Sequence, residues 1–294
     1  MKTSMKAGFV GLGVMGLAIA RRLQAGGVKL HVWNRSREKC ASLHSAGAVV
    51  CDTPADVASS VDTVFLCLMD GAAVEEVVFG KHGIAAAATG ASLVVDHSSI
   101  GPDASRELAR RLRARCGAGW LDAPVSGGVP AAERGELTVM LGGEQADFER
   151  ALPLLQRYAR NVTLMGSSGA GQVAKLCNQI LVANALASIS EALRLAAQGG
   201  IDAARLPEAL RGGWADSALL QLFVPRMLEL PEKSLGASTT MLKDLKNVQA
   251  FAAQHDVPIP LTAITEQLFR VLEFQSRGHL EPSAIFGVFE RPIA

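Results

Sequence analysis

The chain has 294 residues, and its 29 lysines and arginines nearly balance its 28 aspartates and glutamates, giving a formal net charge of +1. Because balanced charge creates no broad electrostatic field, we expect neither nucleic acid nor a membrane surface as a partner. The length predicts about two domains with a sizeable core.

The cysteine pattern and the N-terminal residues indicate a cytoplasmic protein. The five cysteines are scattered, odd in number and without C-x-x-C spacing, which is typical of reduced thiols inside the cell. Residues 1–6 lack the apolar segment and cleavage site of a secretory leader. No uninterrupted apolar stretch reaches the roughly 18 residues of a membrane span. We also expect no bound metal.

The first half of the chain alternates short apolar strands with helical patterns, which predicts a mostly parallel sheet covered on both faces. Strands are expected at 7–10, 30–33, 63–67, 93–96, 119–121, 138–141 and 162–165, and helices at 15–25, 37–46, 72–78 and 104–115. We therefore predict an α/β domain with helices on both faces of its sheet over residues 1–166.

The second half changes character after the turn Gly166-Ser-Ser-Gly169. Apolar residues then recur at i, i+3 and i+4, which predicts one long helix of about 28 residues. Further helices are expected at 203–212, 217–229, 239–255 and 261–276. We predict an all-α domain over residues 167–294, with the long helix as its central helix.

The most informative motif is Gly11-Leu-Gly13-Val-Met-Gly16, between an apolar strand and a helical pattern. In such a G-x-G-x-x-G loop the first glycine makes a tight turn and the second lets the backbone approach a pyrophosphate. The third lets the helix pack on the strand. The diphosphate would rest on N–H groups at the helix N-terminus. We predict a dinucleotide site that includes Leu12 and Met15; an ordinary tight turn is the alternative.

The second strand ends in Asn34-Arg35-Ser36, about where a dinucleotide fold reads the ribose of its cofactor. An acidic residue there would bind the free 2′-hydroxyl of NAD and repel a phosphate. A guanidinium is suited to phosphate binding, so the segment favours NADP(H), with NAD(H) also usable. The alternative is an ordinary helix start with Ser36 as its N-cap.

Two loops follow the next buried strands, one containing Leu68 and Met69 and the other Asp96-His97-Ser98-Ser99. Ligands of open α/β sheets lie beyond the carboxyl ends of the strands, so both loops are expected beside the nicotinamide half of the cofactor. His97 can be an acid/base residue. A loop histidine with its hydrogen bonds satisfied is the favoured alternative, and Asp96 is expected to cap the loop.

A second glycine-rich turn contains Ser126, Gly127 and Gly128. The hydroxyl and two backbone amides can form a neutral pocket for a small carboxylate. A purely structural turn is the alternative.

Lys175 lies on the predicted long helix, four residues after Gly171 and three before Asn178. These intervals place all three on one face. The missing side chain at Gly171 is expected to leave space above the lysine, and Asn178 can hold a substrate oxygen or the lysine itself. A buried lysine on an apolar face is costly unless it has a function. A lysine whose ammonium reaches solvent at a domain edge is the alternative.

Lys243 lies on a later helix, in the run Lys243-Asp-Leu-Lys-Asn247. It is either part of a charged, solvated face or a lysine that reaches back over the cofactor.

Together these segments resemble the β-hydroxyacid dehydrogenase family, which includes 3-hydroxyisobutyrate dehydrogenases and tartronate semialdehyde reductases. The resemblance covers essentially the whole chain and rests on five motifs in the family's order. They are Gly8-Phe-Val-Gly-Leu-Gly-Val-Met-Gly16, Asp96-His-Ser-Ser-Ile100, Asp122-Ala-Pro-Val-Ser-Gly-Gly128, Gly171-Gln-Val-Ala-Lys-Leu-Cys-Asn-Gln179 and Lys243-Asp-Leu245.

The resemblance implies a doubly wound, Rossmann-type domain over residues 1–166, joined by the long helix to an all-α domain for substrate binding and oligomerisation over residues 167–294. It also implies roles for individual residues in a cleft between the two domains. Lys175 would be the catalytic acid/base, with Asn178 beside it. Ser126, Gly127 and Gly128 would grip the substrate carboxylate. Ser99 and Lys243 would contact the nicotinamide end of the cofactor, and Leu68 and Met69 would line its path. Family members usually form homodimers or homotetramers through the helical domain.

We therefore expect an oxidoreductase that transfers a hydride between NADP(H) and a small 3-hydroxyacid or semialdehyde. The Ser98-Ser99 and Lys175–Gln179 details resemble most the branch that reduces 2-hydroxy-3-oxopropionate (tartronate semialdehyde). The alternatives are a 3-hydroxyisobutyrate dehydrogenase, a glyoxylate or succinic semialdehyde reductase, and a non-catalytic dinucleotide-binding module.

Overall fold

The structure is a computed structural model, which describes residues 5–87, 92–231 and 234–289. Residues 1–4, on which part of the expectation about a leader rests, lie outside these ranges, as do the last five residues of the expected helical domain. The chain divides into one unit that ends at Lys175 and a second that begins at Leu176. This division falls inside a helix, whereas the predicted boundary after residue 166 precedes that helix.

The first unit combines strands and helices. Its strands are β1 (Lys6–Val10), β2 (Lys29–Trp33), β3 (Val49–Val50), β4 (Thr63–Leu66), β5 (Leu93–Asp96), β6 (Gly119–Asp122), β7 (Val125–Ser126), β8 (Leu137–Gly142) and β9 (Ala159–Gly166). Its α-helices are α1 (Val14–Ala25), α2 (Ala41–Ser45), α3 (Pro54–Ser60), α4 (Gly71–Phe79), α5 (Pro102–Cys116), α6 (Gly128–Arg134) and α7 (Gln145–Leu155), and α8 (Ala170–Gln198) begins in it. Short 3₁₀ helices span Arg37–Cys40 and Ile84–Ala86.

The nine strands form one sheet in the order β3-β2-β1-β4-β5-β6-β8-β7, with β9 paired to β8. The first six run parallel, in the doubly wound order of dinucleotide-binding folds. β8 runs antiparallel to β6 and β7 and parallel to β9. The predicted fold class is confirmed. The strand order reverses between β1 and β4, which is where such sheets bind ligands.

The central strands bury side chains on both faces of the sheet. In β1, Phe9 joins one apolar cluster and Val10 the other; in β4, Phe65 and Val64 divide in the same way. Successive side chains of a strand point to opposite faces, so alternate apolar residues fill two separate layers. Helices covering both layers explain why these strands read as continuous apolar runs.

Several elements escaped the sequence analysis. The strands β3 and β7 are two residues long, and α3, α6 and α7 were not expected. The start of α3 has a recognisable signal: Thr53 accepts from the Asp56 amide, and the Asp56 carboxylate accepts from the Thr53 amide. This capping box followed by Pro54 identifies a helix N-terminus. The single helix expected at 37–46 divides into a 3₁₀ turn and α2.

The second unit contains only helices among its described residues. After α8 they are α9 (Leu206–Ala209), α10 (Ala218–Leu228), α11 (Ser238–Gln254) and α12 (Pro260–Phe274), with 3₁₀ segments Ala203–Arg205 and Pro282–Phe289. Its core gathers apolar side chains from four of these helices, including Leu186, Val224, Leu245 and Phe269.

The helix α8 is long and apolar enough to cross a membrane by length and composition. An 18-residue window within it has a mean hydropathy of 1.5, and 39% of that window is buried. The expectation from the sequence counted only uninterrupted apolar residues and so did not single out this window. The central helix of a helical domain has the same length and composition, and α8 contributes Leu186 and Leu193 to the core of its unit.

Candidate active site

The glycine loop after β1 packs tightly at two positions and is open at the third. Gly11 has φ +96°, and a Cβ there would collide with the Cys67 carbonyl. A Cβ on Gly16 would collide with the Gly11 carbonyl, whereas one on Gly13 would meet no atom within 4 Å. Gly13 is also the N-cap of α1, whose first turn has neither a capping side chain nor an acidic residue. The loop thus leaves an open, uncapped helix N-terminus that fits a diphosphate.

Asn34 joins the glycine loop to the end of β2. Its Oδ1 accepts from the Leu12 amide at 2.8 Å, and its Nδ2 donates to the Ser36 carbonyl at 2.9 Å. Asn34 therefore joins the glycine loop to the segment predicted to lie beside the ribose, and each of its polar atoms has a further hydrogen-bonding position for a ligand.

Arg35 and Ser36, which follow Asn34, differ from Arg37 in their interactions. Arg37 pairs with Asp52 at 2.7 Å on the surface. Arg35 is exposed and forms no ion pair within the described part of the chain. Ser36 is the N-cap residue of the 3₁₀ turn, but its hydroxyl makes no capping hydrogen bond. Arg35 and Ser36 are thus the groups of this segment that remain available to a 2′-phosphate.

The loops after β4 and β5 are joined to each other. The Leu68 amide donates to the Ser98 hydroxyl at 2.9 Å, and the Ser98 amide donates to Asp96 Oδ1 at 2.9 Å. Asp96 therefore caps its loop as expected. Met69 is exposed and Ser99 is half-buried, both at the carboxyl edge of the sheet.

The turn after β7 requires glycine. Gly127 has φ +118°, and its missing Cβ would lie 2.7 Å from the Ala131 Cβ; Gly128 has φ +67°. Both conformations are disfavoured for other residues. Ser126, the last residue of β7, is half-buried, and Gly127 is exposed. The hydroxyl and the backbone of the turn can therefore be reached by a small ligand.

Lys175 lies at this turn. Its half-buried side chain donates from Nζ to the Val125 carbonyl at 2.9 Å, one residue before Ser126. The structure thus brings together the predicted acid/base residue and the predicted carboxylate pocket, which lie 50 residues apart in the chain. The ammonium group is thus held against the turn by a main-chain carbonyl.

The expectation about Gly171 needs correction. A Cβ there would lie 2.5 Å from the Met140 carbonyl and 2.6 Å from the Asp122 carbonyl. The missing side chain therefore lets α8 approach the main chain of β6 and β8, and it does not leave space above Lys175.

Asp122, at the end of β6, holds the N-terminus of α8. Its buried carboxylate accepts from the Gly169 amide at 2.7 Å and from the Gln172 amide at 2.9 Å. Burial raises the pKa of this carboxyl, and the hydrogen bonds from the two amides act in the opposite direction. Asp122 is therefore the capping group of the helix that carries Lys175. This role was not predictable from the sequence, because the partners of Asp122 lie about 50 residues away in the chain.

Gln172 connects the same helix to the loop after β5. Its Nε2 donates to the Ser98 carbonyl at 2.8 Å, and its Oε1 accepts from the Ile100 amide at 3.3 Å. This buried amide, hydrogen-bonded through both its oxygen and its nitrogen, lies about one turn before Lys175. The role of Gln172 was also missed, although a glutamine on an apolar helix face indicates a buried hydrogen-bonding partner.

His97 is buried, with both ring nitrogens engaged. Nδ1 lies 2.5 Å from the Ala123 carbonyl and Nε2 lies 2.8 Å from the Tyr158 hydroxyl. Burial lowers the pKa of His97 to about 4, despite the opposing effect of the Ala123 carbonyl. These contacts describe the favoured alternative, a satisfied loop histidine, and they leave no nitrogen for a substrate.

The second unit contains a polar chain of its own. Asn178 donates to Gln179 Oε1 at 2.8 Å, Gln179 donates to Asp244 Oδ2 at 2.6 Å, and Lys243 pairs with Asp244 at 3.2 Å. Two residues singled out from the sequence, Asn178 and Lys243, are thus connected through two that were missed, Gln179 and Asp244. Because Asn178 follows Lys175 by three residues on α8, the two share a helix face.

Two sequence models match the chain. The NAD binding domain of 6-phosphogluconate dehydrogenase matches residues 6–167, and the NAD-binding domain of NADP-dependent 3-hydroxyisobutyrate dehydrogenase matches residues 169–289.

Individual relatives extend over nearly the full chain. This chain is 37% identical over 286 residues to a 2-hydroxy-3-oxopropionate reductase of Escherichia coli K12, and the match covers 97% of both chains. A crystal structure of a 3-hydroxyisobutyrate dehydrogenase from Salmonella typhimurium is 29% identical with a TM-score of 0.86, over 97% of this chain and all of that one. The structure of Psf3 in complex with NADP+ and 2-OPP is 27% identical with a TM-score of 0.87, and the match covers 97% of this chain and 100% of that one.

Proposed function

Because this chain belongs to the β-hydroxyacid dehydrogenase family, we propose that it interconverts a small 3-hydroxyacid and its semialdehyde, with Lys175 moving the proton. The chain is an NAD(P)-dependent oxidoreductase, and NADP(H) is its preferred cofactor. The observation that carries the proposed mechanism is the hydrogen bond from Lys175 Nζ to the Val125 carbonyl, beside Ser126.

The cofactor is proposed to lie along the carboxyl edge of the sheet. Gly11, Leu12, Gly13, Met15 and Gly16 would surround the diphosphate, since Gly13 leaves the α1 N-terminus open. Arg35 and Ser36 would bind the 2′-phosphate, with Asn34 fixing their position against the glycine loop.

The nicotinamide half is proposed to lie beside two loops and one lysine. Leu68, Met69 and Ser99 lie where the chain leaves β4 and β5. The family resemblance places Lys243 at the same end of the cofactor. When bound, NADP(H) supplies or accepts the hydride.

The chain's own residues supply binding and proton transfer. The Ser126 hydroxyl and the Gly127 and Gly128 amides would hold the substrate carboxylate, and Asn178 would hold an oxygen near Lys175. In oxidation, Lys175 takes the hydroxyl proton as the carbon loses its hydride; in reduction, it returns a proton to the aldehyde oxygen. The Val125 carbonyl orients the amine for both directions.

We propose 2-hydroxy-3-oxopropionate as the first substrate to test, because the relative with 37% identity over 97% of the chain is named for its reduction. Purified protein would be assayed with NADPH and NADH against a panel of semialdehydes and hydroxyacids, including 3-hydroxyisobutyrate, glyoxylate and succinic semialdehyde. Turnover of a panel member that Lys175→Ala abolishes supports the proposal. Dinucleotide binding without turnover of any member would indicate a non-catalytic module.

We also propose that the helical unit forms a homo-oligomer through apolar side chains on its surface. Leu181 and Leu195 on α8 are 70% and 75% exposed, and Leu261 and Ile264 on α12 are each 63% exposed. Monomers seldom expose so many large apolar side chains on neighbouring elements of one unit, and a second copy of the chain would cover them. Light scattering coupled to size exclusion distinguishes a dimer or tetramer from a monomer.

A cytoplasmic location is part of the same proposal. Its support is that the five cysteines form no disulfide among the described residues, as expected in a reducing compartment.

A further inference from the structure

The residue Ala123 is held at both of its main-chain polar groups by the end of β5. Its amide donates to the Asp96 carbonyl at 2.7 Å, and its carbonyl lies 2.5 Å from His97 Nδ1. Ala123 begins the connection from β6 to the turn that carries Ser126. The loop beside the proposed nicotinamide position and the turn of the proposed carboxylate pocket are therefore joined at this one residue.

The tautomer of His97 follows from its partners. A carbonyl oxygen only accepts hydrogen bonds, so Nδ1 must carry the proton that lies between it and Ala123. In a neutral ring, Nε2 is then an acceptor, and the Tyr158 hydroxyl donates to it at 2.8 Å. Burial lowers the pKa of His97 to about 4 and raises the pKa of Tyr158, so the ring stays neutral and the hydroxyl keeps its proton.

The ring is also fixed by its aromatic neighbours. Phe65 stacks on His97 with centroids 5.7 Å apart, and Tyr158 meets it edge-on at 5.6 Å. Tyr158 is the only tyrosine in the chain and is fully buried. An imidazole held on its face, its edge and both nitrogens has one orientation, so the direction of its Nδ1–H bond is fixed as well.

Two residues beyond Ala123, the Val125 carbonyl accepts from Lys175 Nζ, and Ser126 follows. On the other side, His97 precedes Ser98, which holds the Leu68 amide. We propose that His97 is a positioning residue: its Nδ1–H holds the Ala123 carbonyl and so sets the turn of Ser126, and the acceptor of Lys175, against the loops beside the cofactor. This inference rests on the proposed function.

Two substitutions separate the two hydrogen bonds of the ring. The amide nitrogen of asparagine reaches the position of Nδ1, so His97→Asn can keep the bond to Ala123 and loses the one to Tyr158. The amide of glutamine reaches the position of Nε2, so His97→Gln can keep the bond to Tyr158 and loses the one to Ala123. The two variants remove the same imidazole ring and its stacking on Phe65.

We expect His97→Asn to keep kcat/KM near that of wild type. We expect His97→Gln to lose up to about 100-fold, since small displacements of a reacting group cost that much. The loss should appear in kcat and in KM for the acid, with the Kd for NADPH unchanged. Equal kcat/KM for the two variants, whether high or low, would overturn the inference. So would a loss in His97→Gln that is matched by weaker NADPH binding.

A spectroscopic readout is independent of turnover. In protein labelled with ¹⁵N-histidine, the His97 signals are those missing from His97→Asn. We expect the shifts of a neutral ring protonated at Nδ1 at pH 7, and a change of those shifts in Tyr158→Phe. A ring protonated at Nε2, or charged at pH 7, would contradict the inference. Wild-type protein that turns over no panel substrate would instead overturn the proposed function.

Discussion

The Nζ of Lys175 donates a hydrogen bond to the main-chain carbonyl of Val125 at 2.9 Å. This contact spans 50 residues of the chain and places the amine next to the residue before Ser126, whose hydroxyl belongs to the proposed carboxylate pocket. The group that is proposed to move the proton therefore lies beside the turn that is proposed to hold the substrate.

Replacing Lys175 should strongly lower kcat while leaving cofactor binding intact. We expect Lys175→Met to lower kcat by about 10²- to 10⁴-fold, the usual contribution of a positioned acid/base group. The Kd for NADPH, measured by fluorescence titration, should stay as in wild type. Lys246→Met, at an exposed lysine of α11, is the matched control and should retain full activity. Near-normal kcat in Lys175→Met would rule out the proposed role.

Motifs of adjacent residues were predictable from the sequence. The spacing of Gly11 and Gly16 within the G-x-G-x-x-G motif indicated that both pack tightly. The three-residue spacing of Lys175 and Asn178 indicated that they share a helix face. The doubly wound sheet followed from the alternation of strand and helix patterns. Each of these signals lies within a short window of the chain.

The connections between motifs were not predictable in the same way. Asp122 contacts Gly169 across 47 residues, His97 contacts Tyr158 across 61, and Gln172 contacts Ser98 across 74. Nothing in local periodicity shows which distant residue satisfies a buried polar group. The packing of Gly171 was not predictable for the same reason, because the carbonyls that a Cβ there would meet belong to β6 and β8.

The glycine loop predicts opposite outcomes for two alanine substitutions. Gly13→Ala should leave stability unchanged, since its Cβ would meet no atom within 4 Å, but it should weaken NADPH binding by occupying the space for the diphosphate. Gly11→Ala should lower the melting temperature, because φ is +96° and its Cβ collides with the Cys67 carbonyl. Thermal unfolding and NADPH titration of both variants test this. Tight NADPH binding by Gly13→Ala would contradict the proposed diphosphate position.

Arg35 should determine the preference for NADP(H). We expect Arg35→Ala to raise KM for NADPH about tenfold or more, since a hydrogen bond to a charged group is worth about 1.5–3 kcal/mol. KM for NADH should not change. Arg37→Ala is the matched control, because Asp52 already engages that guanidinium at 2.7 Å, and its effect should be smaller. A larger effect at Arg37, or an equal loss with both cofactors, would show that the 2′-phosphate is bound elsewhere.

Asp122 should stabilise the start of α8 and, through it, the position of Lys175. Asp122→Asn keeps the size of the side chain but exchanges one acceptor oxygen for a donor, leaving the Gly169 or Gln172 amide without its acceptor. We expect the free energy of unfolding to fall by about 1–3 kcal/mol. We also expect kcat to decrease. Asp62→Asn, at an exposed carboxylate, is the control for the change of charge. Unchanged stability in Asp122→Asn would show that the capping contacts contribute little.

The buried imidazole of His97 should make stability depend on pH in acid solution. Its pKa is about 4 in the folded protein and near 6.5 when unfolded, so between these values the unfolded chain binds more protons. Stability associated with the neutral ring is therefore complete above about pH 6.5 and is lost as the pH falls towards 4.

Comparison with His97→Asn isolates this effect, because that variant lacks the titrating ring and keeps all other ionisable groups. The difference in unfolding free energy between wild type and His97→Asn should shrink by about 3 kcal/mol between pH 7 and pH 4, measured by denaturant unfolding at each pH. Tyr158→Phe, which removes the donor to Nε2, should move the midpoint of this change to higher pH, since protonation of the ring then breaks no hydrogen bond. A difference that is constant across this range would mean that the ring is protonated equally in both states, which its burial against Phe65 and Tyr158 opposes.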